Sequence, residues 1–194
     1  MHESSSDAFG ERRKNLEDAF FKDRDQQLME KMRRELESFE ESKKLAHVSG
    51  ITEEKVLKNL VQAGVRAETM TAVSLIPLVE VAWCDGSVSP EERDAVLNAA
   101  SRAGIHPDSA PYGLLRDWLK NKPDPHIIEA WRDYVSEMAR LMPAENLAEM
   151  KRHMIDRCTR VAEAAGGFLG LNTISKHERA KIDELAQAWI GKKA

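Results

Sequence analysis

The chain has 194 residues, of which 42% are apolar and 32% are charged, and its formal net charge at pH 7 is −4. This composition is typical of a soluble globular protein with one sizeable core. The near-balanced charge argues against a nucleic-acid binder that works through a broadly basic surface. The longest stretch without a charged residue, 164–175, has twelve residues and is too short to span a bilayer.

The termini and the cysteines bear on the expected location and chemistry. The segment His2-Glu3-Ser4-Ser5-Ser6 shows no basic region followed by an apolar one, so we expect no secretory signal. Cys84 and Cys158 form neither a disulfide framework nor a CxxC motif. We therefore expect a cytoplasmic protein without a transmembrane segment, and peripheral association with a membrane stays open. No Ser-His-Asp or Cys-His arrangement can be read from the sequence, and we expect no enzymatic activity.

The first predicted element is a charged helix over residues 11–46, which gives an N-terminal arm (residues 1–46) before the main domain (residues 47–194). Twenty of its 36 residues are charged, ten of each sign, and it contains neither Pro nor Gly. Apolar residues recur at multiples of four and form a thin line along one side: Leu16, Phe20, Leu28, Met32 and Leu36. Such a helix packs one edge on the main domain, pairs with a protein partner or a second copy, or projects into solvent with its ion pairs.

From Ile51 onward the apolar spacing predicts a series of helices and almost no strand. The predicted helices run from Thr52, as the cap, to Gly64 and then over 68–84, 90–103, 112–119, 126–142, 144–165 and 176–190. Pro77 predicts a kink or a break within the second of them. The predicted fold class is all-α, with a single bundle of about seven helices and the charged N-terminal helix in addition.

Two segments match each other at an offset of 86 residues, 83–93 (WCDGSVSPEER) and 169–179 (LGLNTISKHER). They share a β-branched residue, a serine, a glutamate and the arginine that follows it. The matched pairs are Val88/Ile174, Ser89/Ser175, Glu92/Glu178 and Arg93/Arg179. Because each segment lies between two predicted helices, the repeat predicts a pseudo-duplicated bundle in which the two loops can face each other.

The string AWCDGSVSPEE at 82–92, with its degenerate second copy at 172–178, resembles the tellurite-resistance TerB-like family. The resemblance covers about residues 68–190 and leaves the arm outside it. It implies a compact all-α domain of about seven helices, without catalysis, in stress-response or membrane-associated signalling complexes. It also implies a divalent metal ion (Ca²⁺, Mg²⁺ or Zn²⁺) held by acidic residues of both copies.

Carried over by position, the metal-binding acids are Asp85 and Glu92 from the first copy and Glu178 from the second. The position equivalent to Asp85 in the second copy is Leu171, which cannot bind a metal, so one expected acid is missing. A hard cation takes about six or more oxygen ligands. Only the two loops together, or one loop with several waters, would complete such a site.

Helix capping explains the same two glutamates without a metal. Ser89–Glu92 and Ser175–Glu178 both place a serine at the N-cap and a glutamate three residues later, which is the capping-box pattern. Capping does not account for Asp85, which follows an apolar helix. Three hypotheses stay open: a TerB-like module with a divalent metal, a purely structural protein-interaction module, and a metal-dependent hydrolase that uses the same acids. The partner is either another protein or a second copy, bound through the 11–46 helix.

Overall fold

The structure is a computed structural model that describes the backbone of residues 4–166 and 174–189 and the side chains of residues 22–24, 26–164 and 174–189. These residues form eight α-helices and one 3₁₀ helix, without a strand, so the all-α prediction is confirmed for them. The α-helices are α1 (Ser4–Ser49), α2 (Glu54–Gln62), α3 (Ile76–Ala82), α4 (Pro90–Arg102), α5 (Ala110–Lys120), α6 (His126–Leu141), α7 (Ala144–Gly166) and α8 (Lys176–Gln187), and the 3₁₀ helix is Ala67–Leu75. Among them, none has the length and apolarity that crossing a bilayer requires.

The chain divides into two compact units, one that ends at Glu40 and one that begins at Glu41. Helix α1 covers the whole of the predicted 11–46 helix and extends beyond it at both ends. In the first unit its charged side chains form ion pairs three or four positions apart, such as Arg33 with Glu37 at 2.9 Å. These pairs are those expected of a charged helix surrounded by water, where each contributes only a few tenths of a kcal/mol.

The second unit has one apolar core, which receives side chains from each of its described helices. Leu45, near the end of α1, is fully buried in this core, as are Leu78 of α3 and Leu185 of α8. The ring of Trp131 meets that of Trp189 edge to face, with 6.3 Å between the ring centroids. Edge-to-face contacts of this kind stabilise a core beyond the burial of the ring area alone.

Helix α2 follows the predicted pattern, with one correction at its start. The apolar residues predicted to face inward are the buried ones: Val56, Leu57, Leu60 and Val61. Gly64 follows the helix with a positive φ of 83°, as expected of a residue that ends one. The N-cap is Glu53, whose backbone is extended and whose side chain makes no capping bond, so the prediction of Thr52 as the cap was wrong.

The predicted 68–84 helix consists of two elements, the 3₁₀ helix and α3. Pro77 lies in the first turn of α3. Backbone N–H groups in a first turn have no acceptor within the helix, so the N–H that proline lacks costs no hydrogen bond there. Its ring is incompatible with an α-helix that continues through the preceding turn. The break predicted from Pro77 is therefore confirmed, and it falls between Leu75 and Ile76.

Helix α3 lies at the centre of the second unit and packs against α4, α5, α6, α7 and α8. All of its residues except Glu80 are buried. Trp83 follows directly, and its indole N–H donates a hydrogen bond of 2.8 Å to the backbone carbonyl of Trp118, which lies in the last turn of α5. The chain then enters the loop that carries Asp85, so the packing of α3 and the Trp83 bond position this loop.

Candidate functional site

The first loop of the sequence repeat, between α3 and α4, contains a tight turn at Asp85 and Gly86. A carboxylate oxygen of Asp85 accepts the backbone N–H of Ser87 at 3.1 Å. Gly86 has a φ of 95°, a left-handed conformation that a residue with a Cβ rarely adopts. The Asp85 side chain is exposed. Its observed contact therefore stabilises the turn, and its carboxylate remains accessible to solvent.

The start of α4 is a capping box, as the sequence predicts. The backbone N–H of Ser89 donates to Oε2 of Glu92 at 2.8 Å, and the backbone N–H of Glu92 donates to Oγ of Ser89 at 3.1 Å. Pro90 occupies the first turn. Glu92 is only 3% exposed, although it carries a carboxylate. The cap therefore compensates in part for the burial of an acidic group.

The start of α8 repeats this arrangement. The backbone N–H of Ser175 donates to Oε2 of Glu178 at 2.6 Å, and the backbone N–H of Glu178 donates to Oγ of Ser175 at 3.2 Å. Glu178 is 6% exposed. Both capping boxes predicted from the sequence are confirmed. The preceding residues of the second copy, 169–173, including Leu171, lie outside the described residues. So does Ile190, the predicted last residue of the final helix.

Two of the predicted acids, Asp85 and Glu178, act electrostatically on the third, Glu92. Burial raises the pKa of Glu92, the hydrogen bonds with Ser89 lower it, and the charges of Asp85 and Glu178 raise it further. Burial also raises the pKa of Cys84 to about 11, and the charges of Glu178, Asp85 and Glu92 contribute in the same direction. The structure therefore brings the α3–α4 loop and the start of α8 close enough for all three carboxylates to influence the same thiol.

These groups do not form a preassembled metal centre in the part of the chain that the structure describes. No three His, Cys, Asp or Glu side chains among the described residues are placed to hold a metal ion together. One oxygen of Glu92 and one of Glu178 accept capping bonds, while the Cys84 thiol is protonated at neutral pH. The described arrangement offers two buried, capped carboxylates and the exposed Asp85.

Sequence reasoning missed Glu80, the one charged residue of α3. Its pKa is raised by burial, and the charges of Lys181 and Lys122 lower it. Lys181 also binds Glu184 at 2.8 Å, which connects this region to the exposed side of α8. A single acid within an otherwise apolar stretch is a signal that the sequence already contains. What the sequence lacks is the identity of the cations near it, because Lys181 comes from α8 and Lys122 from the loop between α5 and α6.

A second candidate surface lies on α1 and is called here the α1 stripe. It consists of Leu28, Met29, Met32 and Leu36, which are between 56% and 68% exposed. At 100° per residue these four side chains fall within an arc of about 100° on one side of the helix. Large apolar side chains that are exposed together, rather than singly, mark an interaction surface.

No protein-family model, curated protein or solved structure matches the chain. The resemblance to the TerB-like family therefore stays a prediction.

Proposed function

We propose that the protein is a non-enzymatic helical module of the TerB-like kind that works through protein contacts, and that the α1 stripe makes these contacts. The exposure of the stripe carries this proposal. Each buried methylene group contributes about 0.8 kcal/mol, so covering four large apolar side chains provides a substantial driving force for association.

The charges of α1 favour a second copy of the chain as the partner. Residues 11–46 carry ten positive and ten negative side chains, so two such helices can match opposite charges along their length. Both signs also flank the α1 stripe: Lys31 and Glu35 lie on one side of it and Arg33 on the other. A partner helix of one sign would meet like charges at about half of these positions, which disfavours it.

In this proposal the main domain is a pseudo-duplicated bundle. The loop before α4 and the loop before α8, each with a capping box, occupy equivalent positions in its two halves. The identical hydrogen bonding of Ser89 with Glu92 and of Ser175 with Glu178 supports the duplication. The cytoplasmic setting and a role in stress response rest on the family resemblance alone. The metal-dependent hydrolase is not proposed, because no observation among the described residues favours catalysis in addition to the capping roles of Glu92 and Glu178.

Sedimentation velocity of the full chain tests the α1 contact. The double variant Leu28→Glu/Leu36→Glu places charges in the α1 stripe, and Gln26→Glu/Gln27→Glu adds the same charge outside it. We expect the wild type and the control to sediment as dimers of the 21.9 kDa chain and the stripe variant as a monomer. Circular dichroism should show equal helix content in all three. A wild type that is monomeric at every concentration, or a stripe variant that dimerises as the control does, contradicts the proposal.

A second candidate function, binding of a divalent cation (Ca²⁺, Mg²⁺ or Zn²⁺), is favoured by the electrostatics of the two loops. The charges of Asp85 and Glu178 raise the pKa of the buried Glu92, so a cation between these groups would relieve their repulsion. Because Asp85 is exposed and lies in a turn, its carboxylate can move toward a bound ion. Waters would supply the remaining oxygen ligands.

Calorimetric titration of the chelator-treated protein with each cation tests this second function. The double variant Asp85→Asn/Glu92→Gln should lose the binding heat and the accompanying rise in melting temperature. The matched control Glu91→Gln/Asp94→Asn removes two exposed acids of α4 and should behave as the wild type does. Absence of heat and of a thermal shift at millimolar Ca²⁺, Mg²⁺ and Zn²⁺ contradicts the cation site and leaves the α1 contact untouched.

A further inference from the structure

A groove of about 360 Å³ lies between α4 and α7, on neither of the surfaces described above. Arg102 of α4 lines it together with His153, Arg157 and Arg160 of α7. Such a concentration of cationic side chains is unexpected in a chain whose net charge is −4. The volume lies within the range of sites that bind small molecules, about 300–1,000 Å³.

Helical spacing places these side chains on facing surfaces. His153, Arg157 and Arg160 are separated by four and three positions, so they share one face of α7. Ala95 and Ala99 precede Arg102 by seven and three positions, so they share a face of α4 with it. Since α4 and α7 pack against each other, the two faces enclose a groove with a small-residue floor on α4 and cations at its edges.

The positive charge in the groove is only partly compensated. Asp156 is the one acidic residue that lines it, and its Oδ2 accepts a hydrogen bond of 2.7 Å from Arg160. Neither Arg102 nor Arg157 makes an ion pair within the described part of the chain, and Arg157 is half-buried. Three arginines face a single carboxylate in the groove, which leaves an excess of positive charge. The Nε2 atom of His153 lies 3.5 Å from a carboxylate oxygen of Glu149, which does not line the groove.

Ordinary structural roles explain two of the three arginines. Arg102 lies in the last turn of α4, where a cation interacts favourably with the helix dipole. Arg160 and Asp156 form an ion pair four positions apart, which is common on exposed helices. Neither explanation applies to Arg157, which is half-buried in mid-helix and directed into the groove without a carboxylate.

We propose that this groove binds a phosphate group. A guanidinium presents five N–H donors in a planar fork that matches two phosphate oxygens at once, and Arg157 and Arg102 offer two such forks from opposite walls. A phosphate dianion would balance the excess positive charge, and Arg160 would contribute by exchanging Asp156 for the ligand. The alanine floor leaves room for the group that carries the phosphate, whether it is a small monoester or a lipid headgroup.

Isothermal titration of the full chain with inorganic phosphate and with glycerol 3-phosphate tests the site. Flotation assays identify the source of the phosphate, using phosphatidylcholine vesicles that either contain or lack phosphatidic acid. Binding of the soluble monoester assigns a small ligand. Binding only to the vesicles with phosphatidic acid, and not to the soluble probes, assigns a lipid headgroup. Both outcomes support the phosphate site. No response to any of these probes at millimolar concentration overturns it.

Arg157→Gln should weaken binding of the responding probe about tenfold or more, because charge-assisted hydrogen bonds are lost. Arg152→Gln, an exposed residue of α7 whose partner is Glu149, is the matched control and should bind as the wild type does. Arg102→Gln provides the same test on an exposed residue should Arg157→Gln fail to fold. Equal loss in Arg152→Gln and Arg157→Gln would show unspecific charge attraction and would overturn the proposal.

Discussion

The indole N–H of Trp83 donates a 2.8 Å hydrogen bond to the backbone carbonyl of Trp118 and so connects the end of α3 to α5. Trp83 is the last residue before Cys84 and Asp85, so the bond holds the entrance of the acidic loop against a helix 35 positions further along the chain. The loop therefore depends on tertiary packing as well as on its own turn. This dependence can be measured.

Trp83→Phe is predicted to destabilise the protein by about 1–3 kcal/mol, because the Trp118 carbonyl loses its donor in a partly buried position. The free energy of unfolding in urea measures the loss. Tyr134→Phe serves as the control, since the Tyr134 hydroxyl makes no hydrogen bond within the described part of the chain, and it should change stability little. Equal stability of Trp83→Phe and the wild type would show that the bond does not hold the loop.

The two capping boxes predict equal costs at two distant positions. Ser89→Ala and Ser175→Ala each remove the side-chain acceptor of a helix N-terminus, and each should lower the free energy of unfolding by about 1 kcal/mol. Ser87→Ala is the matched control, because Ser87 uses its backbone rather than its hydroxyl in the observed bond to Asp85. Thermal or urea unfolding that fails to separate the cap variants from Ser87→Ala would argue against the capping role.

Glu92 is predicted to make the protein less stable as the pH rises. Burial and the charges of Asp85 and Glu178 raise its pKa in the folded chain, so the folded state holds the proton more tightly than the unfolded state does. This contribution is fully present below the ordinary pKa of a glutamate and is lost as the pH rises through the raised value.

Glu92→Gln removes this titration but keeps an acceptor for the Ser89 N–H. The difference in free energy of unfolding between variant and wild type should therefore shift in favour of the variant as the pH rises above the ordinary pKa of a glutamate. Glu91→Gln, an exposed neighbour, provides the matched comparison. A shift in the opposite direction for Glu92→Gln, or the same shift for Glu91→Gln, would contradict the electrostatic description of this site.

Features of the structure that four or five consecutive residues determine could be predicted from the sequence. The caps at Ser89 and Ser175 could be predicted because the hydrogen bonds of a capping box join residues only three positions apart. The inward face of α2 and the break before Pro77 could also be predicted from the sequence, because both depend on residues within one or two helical turns of each other. Thr52 was wrongly assigned as a cap because the choice between it and Glu53 depends on the backbone path into the helix.

Features that depend on contacts between distant helices could not be predicted. The influence of Glu178 on Glu92 requires α8 to pack beside α3. Only the sequence repeat, which predicted that the two loops can face each other, pointed to this proximity, since no local pattern specifies that neighbour. The arginine groove likewise depends on the pairing of α4 with α7. In the sequence, Arg102 and Arg157 are two unremarkable cations among many.

Both cysteines are predicted to be unreactive in the folded protein. Burial is the main cause that raises the pKa of the Cys84 thiol to about 11 and that of Cys158 to about 12, so both are protonated near pH 8. Alkylation by iodoacetamide at pH 8 should be slow in the native protein and complete in urea, with mass spectrometry as the readout. Rapid modification of native Cys84 would show that the acidic loop opens or that its thiol is activated.

Disulfide trapping tests the proposed α1 contact most directly. In a Cys84→Ala background, chains with Leu28→Cys and Leu36→Cys are mixed and oxidised, and Gln27→Cys serves as the control. We predict disulfide-linked dimers from the stripe positions and no dimer from the control. If the helices are parallel, the disulfide joins like positions, and if they are antiparallel, it joins Leu28→Cys to Leu36→Cys. Monomers throughout, or equally efficient trapping at Gln27→Cys, would contradict pairing through the α1 stripe.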